Sequence, residues 1–338
     1  MKILIVAAAV LLGCLQGVAA QTVIRFALPT AADHPRNQVL ARWAGAVAKI
    51  SDNRLTIEFR HGETRYDGSR ILNAVAEGAT DMAAPGWWLV SRFAPNFRVS
   101  ALPMFYGRAA ADMTAIFDGR LGQALDQSLE RALPVKVLGR RIDLGFGHIY
   151  LAAAPVERYG DLRGLNVRVP GGSADLARYL VFGATPRRVA IAKLFDALRR
   201  KLIGGLLTTH AFVADAELWR AGVKFAFLDN QVFYQYTPVF NLARWRALPV
   251  EEREWLSRSW EESVDEMRAA AARRQAEGRA AAARQAVVFF EPDGDAVAAM
   301  RLELLKEQPA LVKALGMNKA FVARVAAALA ALDKAAGG

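Results

Sequence analysis

Two α/β lobes joined by several crossings of the chain are predicted by three observations. Strand-like and helix-like segments alternate from Thr22 onward, 54% of the 338 residues are hydrophobic, and no repeat or low-complexity linker separates the two halves. A chain of this length and apolar content can bury two cores of ordinary size.

The first twenty residues read as a secretory signal. Lys2 supplies a short positive start, Ile3 to Leu15 is almost wholly apolar, and Val18-Ala19-Ala20 offers small residues for cleavage before Gln21. That run is too short for a membrane span. Leu11-Leu12-Gly13-Cys14 gives a competing reading as a lipoprotein processing site. Cys14 is the single cysteine, so a chain cleaved after Ala20 has no thiol for catalysis, disulfides or metal binding.

After the leader, Thr22 to Leu28 is a strand candidate. Asn37 to Ser51 carries Val39, Leu40, Trp43, Val47 and Ile50 at helical spacing. Leu55 to Phe59 alternates as a strand, Ser69 to Glu77 is a helix closed by Gly78, and Thr80 to Ala84 is a short buried strand. This order predicts a parallel sheet. A second unit opens near Phe146 with strands at Val167-Arg168-Val169, Arg187 to Ala190 and Ile203 to Leu207. Helices at Ala174 to Phe182 and Ala192 to Lys201 alternate with them. Phe225 to Leu242 reads as extended. From Pro249 the pattern is helical, with Leu256, Trp260, Val264, Met267 and Ala271 as an apolar stripe and a bend or end near Gly278. Val287 to Phe290 reads as one more strand, and helices run on to Leu332. The predicted division is residues 1–20 as leader, 21–145 with 232–272 as lobe I, and 146–231 with 273–338 as lobe II.

The net charge of +11 suits an anionic partner, yet no block of five like charges appears, so most of it belongs to solvated helix faces. The four histidines show no metal spacing, and there is no nucleophile elbow, P-loop or kinase-like set, so nothing supports an enzyme, a cofactor or a metal. Neither nucleic-acid binding nor stable membrane insertion is expected.

Arg168 is the most informative residue. It lies in a short apolar strand ended by Pro170, and a guanidinium so placed needs an anion: a ligand, or a protein carboxylate such as Asp175 or Asp196.

The order of several segments resembles the extracytoplasmic solute-binding proteins of tripartite ATP-independent periplasmic (TRAP) transporters, in the dicarboxylate-binding, DctP-type branch. These segments are Ile71 to Met82, Ala101-Leu102-Pro103-Met104-Phe105, Asp161 to Pro170, Phe182-Gly183-Ala184-Thr185-Pro186, Phe195-Asp196-Ala197-Leu198, and Asn241 followed by Trp245 and Leu248-Pro249. The resemblance implies two lobes that close on a ligand like a flytrap, a long helix spanning both from Pro249 to about Arg284, and Arg168 holding the ligand carboxylate through a paired hydrogen-bond fork. It also implies a periplasmic monomer that passes a small organic anion to membrane permease subunits. A sensor feeding a membrane receptor and an orphan binder with a divergent pocket are the alternatives. Three departures from the branch stand out. Gly147 occupies a position where a second arginine is common, the loop Gly204 to His210 lacks the usual acidic and amide residues, and Arg187-Arg188-Val189 replaces a segment containing Pro and Met.

The absent second arginine points to a monocarboxylate, and Trp87, Trp88, Phe146 and the apolar Leu206-Leu207 point to an aromatic or bulky remainder. Beside Arg168, the candidate ligand contacts are Gly86, Trp87, Trp88, Phe146, His148, Thr208 and Gln231. Trp87 and Trp88 follow a strand end, where open α/β sheets place ligands, and strand alternation would turn one ring to the cleft and the other inward. Gly86 would leave room for a flat ligand. His148 is either a replacement donor or a surface histidine. Thr208 offers a hydroxyl, and Gln231 lies with Asn230 and Tyr234 at a crossing between lobes. The helix start after Gly171-Gly172-Ser173 could add amide donors.

Overall fold

The computed structural model describes residues 21–28, 35–62, 70–169 and 173–336. The leader and Gly171-Gly172 lie outside the described residues. Eleven strands are described: β1 (Thr22–Leu28), β2 (Leu55–His61), β3 (Met82–Ala83), β4 (Val135–Val137), β5 (Ile142–Leu151), β6 (Asn166–Val169), β7 (Thr185–Arg188), β8 (Gly205–Thr208), β9 (Phe225–Tyr236), β10 (Val239–Asn241) and β11 (Val288–Phe290). They form two sheets, ordered β2-β1-β3-β10-β4 and β11-β9-β5-β8-β6-β7.

In the first sheet β1 runs parallel to β2 and β3, as the alternation of strands and helices predicts, while β10 returns antiparallel between β3 and β4. In the second, β6 is parallel to β7 and β8, and β5 is antiparallel to both β8 and β9. The chain crosses between sheets through residues 138–141 and again through Thr237-Pro238. Both crossings differ from the expected breaks at 145/146 and 231/232, because β5 and β9 are long strands that extend past those points. β7 also begins two residues before the expected Arg187.

The third connection is the helix Val250–Arg284. Glu251 and Glu252 in its first turn complement the positive helix end. Its first half buries Leu256, Trp260 and Met267 against the first sheet and the helix Pro35–Ile50. Trp43 Nε1 donates to Ser259 Oγ at 3.1 Å, and Trp260 Nε1 donates to the Arg140 carbonyl at 2.9 Å. The second half crosses the helix His210–Asp215. Gly278 does not end the helix, which continues to Arg284. A Cβ there would lie 2.6 Å from the His210 carbonyl oxygen, so glycine permits the close crossing.

The C-terminal region does not stay with the second sheet as expected. Leu304 packs with residues of β6 and β9. Leu311, Val312, Phe321, Val325 and Leu329 instead join Leu72, Val90, Phe97, Phe117 and Val135 on the first sheet. No helix among the described residues is long and apolar enough to cross a membrane.

Candidate functional site

A cavity of about 470 Å³ opens between the two sheets. The segment following β3 contributes Ala84, Pro85, Gly86 and Trp88, the second sheet contributes Arg168, Leu207, Thr208 and Tyr234, and the long helix contributes Met267, Ala270, Ala271, Arg274 and Gln275. Most of the lining is apolar, with Leu40, Leu89, Ile142 and Phe212 among it.

Arg168 is 7% exposed. Its Nε donates to the Val189 carbonyl at 3.2 Å, and no other partner for its guanidinium is found among the described residues. Neither carboxylate considered for it is used this way: Asp175 pairs with Arg178 at 3.3 Å and Asp196 with Arg200 at 3.5 Å. Burial lowers the pKa of Arg168 from its ordinary value, with Tyr234 and Asp175 opposing that effect. The remaining N–H groups are thus a charged, directional donor set with no protein anion, on the wall of a largely apolar cavity.

Trp87 and Trp88 do part company, but through a helical turn rather than strand alternation. Both lie in the short helix Trp87–Val90. Trp87 is buried, packed edge-on against Phe97 at 5.4 Å and Phe117 at 5.2 Å. It belongs to the core, not the site. Trp88 faces the cavity, set edge-on to Tyr234 at 5.5 Å and to Tyr236 at 5.8 Å. Gly86 lines the cavity too, for a different reason from the one expected. A Cβ on it would fall 2.3 Å from the Trp88 ring, so its missing side chain makes room for Trp88 rather than for a ligand. Thr208 lies in the cavity wall at the end of β8.

Phe146 and His148 are elsewhere. They line a second cavity of about 370 Å³ with His210, Asn230, Phe233, Arg268 and Arg279. His148 is buried rather than at the surface, stacked on His210 at 4.6 Å, and burial holds its pKa well below the usual histidine value. It is therefore a neutral ring at physiological pH. Gln275 lines both cavities, accepting from the Ala211 amide at 3.0 Å and donating to the Leu144 carbonyl at 2.6 Å. Gln231 is buried in another network. It accepts from Tyr179 Oη at 2.9 Å and donates to Asp229 Oδ2 at 2.9 Å, which leaves it no part in the cavity wall.

Among the cavity residues that went unrecognised in the sequence are Tyr236, Met267, Arg274 and Gln275. Met267, Ala271 and Arg274 continue the stripe read as core from Leu256 onward, and that stripe leaves the first sheet and enters the cavity. Arg274 is paired with Asp215. No group of three potential metal ligands occurs among the described residues.

The family pattern described as bacterial extracellular solute-binding protein, family 7 (DctP) matches residues 26–308. The C4-dicarboxylate-binding periplasmic protein DctP of Rhodobacter capsulatus is 24% identical over 248 residues, 72% of each chain. The 2,3-diketo-L-gulonate-binding periplasmic protein YiaO of Escherichia coli is 24% identical over 240 residues, 71% of this chain and 72% of that one. A TRAP periplasmic solute-binding protein from Ochrobactrum anthropi, with its C-terminus bound in the ligand pocket, superposes with a TM-score of 0.86 at 18% identity, covering 94% of this chain and 97% of that one. The sugar-acid-binding protein DctPAm from Advenella mimigardefordensis, in complex with galactonate, gives 0.82 at 19% identity, covering 92% and 98%. These likenesses confirm the two-lobed fold with its spanning helix, and the relatives are binding proteins rather than enzymes. The chain belongs to bacterial extracellular solute-binding protein family 7 and is a DctP-type solute-binding protein of TRAP transporters.

Proposed function

We propose that this protein captures a monocarboxylate with an aromatic or otherwise bulky apolar remainder and delivers it to a TRAP-type permease outside the cytoplasmic membrane. The leader read in residues 1–20 supports export. The observation that carries the reading is Arg168, a buried guanidinium with one backbone partner on the wall of a mostly apolar cavity.

Two features favour a single carboxylate. Arg274, the other cation of the lining, is already neutralised by Asp215. The position of Gly147 supplies no charge. The remainder of the ligand would meet Trp88, Leu89, Leu207, Phe212 and Tyr236. Galactonate, bound by the Advenella protein, carries a hydroxylated chain that would need polar partners along its length. A phenyl-sized group burying on the order of 100 Å² here contributes about 2–3 kcal/mol. Each charge-assisted hydrogen bond to Arg168 contributes about 1.5–3 kcal/mol. Closure of the sheets over the ligand would follow the hinge pattern of such folds.

Calorimetric titration with benzoate, phenylacetate, succinate and galactonate tests this. The reading expects binding of an aromatic acid and its loss in Arg168→Met. Preference for succinate, or equal binding by the variant, would refute it.

A further inference from the structure

We infer that the Tyr234 hydroxyl is the second donor to the ligand carboxylate, acting beside Arg168 and setting selectivity for a carboxylate headgroup. This rests on the carboxylate reading above.

The geometry begins with a missing side chain. Tyr234 lies on β9, paired to Gly145 of the neighbouring β5. Its ring runs over β5 at Gly147, where an added Cβ would sit 2.8 Å from Tyr234 Cε2. The same point is 3.1 Å from Leu207 Cδ1, on β8, the next strand along. Beyond β8 comes β6, which carries Arg168. The ring therefore reaches across the sheet toward the guanidinium, through a gap that only glycine leaves open, and Trp88 braces it edge-on.

The hydroxyl at the end of this ring is buried and has no hydrogen-bond partner among the described residues. Such a group is costly to leave unsatisfied. The charged groups around it are Asp175, Arg178 and Arg168. Asp175 and Arg178 are paired to each other, and Arg168 offers only donors. An entering carboxylate supplies the acceptor that both Arg168 and Tyr234 lack. Burial holds the phenol well above its ordinary pKa, so it keeps its proton to donate.

Benzoate is the probe. Its binding is measured on wild type, Tyr234→Phe, Gly147→Ala and Arg168→Met by calorimetry and by the Arg168 Nε–Hε resonance. Tyr234→Phe keeps the ring and removes only the hydroxyl, so benzoate affinity is expected to fall about tenfold. Its ligand-free melting temperature should stay the same or rise, because an unpartnered polar group has gone. Gly147→Ala, which crowds the ring, should weaken binding in the same direction. Unchanged affinity in Tyr234→Phe, or a lowered ligand-free melting temperature, would overturn this assignment while an Arg168 response to benzoate leaves the carboxylate reading standing. No Arg168 response to millimolar benzoate would overturn both.

Discussion

Arg268, on the long helix, and Arg168, on β6, are both buried, and the protein serves them differently. Arg268 meets Asp118 in a two-pronged pair at 2.6 and 2.7 Å, and its Nε donates to the Arg141 carbonyl at 3.0 Å. Arg141 beside it is held by Asp126 and the carbonyls of Phe117 and Gly122, with its Nε alone lacking a partner among the described residues. Arg168 has one carbonyl. Burial alone thus does not separate the two. The inventory of acceptors does, and under the proposed function an outside anion completes the one at Arg168.

The contrast breaks most visibly at Arg268. Arg268→Met leaves the half-buried Asp118 with only Arg140 at 3.5 Å, and the expected loss is about 3 kcal/mol of unfolding free energy, read by urea titration. A loss under about 1 kcal/mol would mean the pair is not the structural contact described. Arg168→Met is expected to act on binding, with affinity for an aromatic monocarboxylate falling about 100-fold or more, equivalent to ~2.7 kcal/mol.

Asp229 sharpens the comparison from the acid side. This fully buried carboxyl has hydroxyl and amide partners, Tyr106 and Gln231, rather than a paired cation, and burial pushes its pKa up to about 7. The folded state then holds its proton more tightly than the unfolded chain. This group's contribution to stability therefore declines as pH rises from about 4 to 7 and is flat above that. Asp229→Asn should gain on wild type by roughly 2 kcal/mol between pH 5 and 7, seen as diverging melting curves over that range. Parallel curves would show a carboxyl already ionised at pH 5. His210, lowered to about 4 by burial, pulls the wild-type curve the other way, so the difference between variant and wild type is the informative quantity.

The smallest effect is expected at Gly86. Gly86→Ala places a methyl group against the Trp88 ring and should cost about 1–2 kcal/mol in stability while weakening ligand binding. A variant that binds normally would remove Trp88 from the site.

The sequence exposed Arg168 because a lone cation inside a short apolar strand contradicts its own surroundings. The alternation of elements likewise disclosed the α/β character of both lobes, and the family resemblance implied the long helix. Phe146 and His148 were misplaced because β5 shifts register between Asp143 and Gly145 and again between Gly147 and Ile149, and such irregularities re-aim side chains without a local signature. Gln231 was misjudged because its partners, Tyr179 and Asp229, are joined to it only by the fold. Tyr236 and Arg274 were overlooked for a related reason: periodicity says which side of an element is covered, not whether protein or ligand covers it. The tail helices carry ordinary amphipathic spacing, which does not say which sheet they cover.

The central claim, that Arg168 is a buried cation reserved for an outside anion, is tested most directly by urea unfolding of ligand-free wild type and Arg168→Met. The account predicts equal or greater stability for the variant, since no internal ion pair is lost. A loss of about 3 kcal/mol or more, as expected for Arg268, would show Arg168 to be a structural residue and contradict the account.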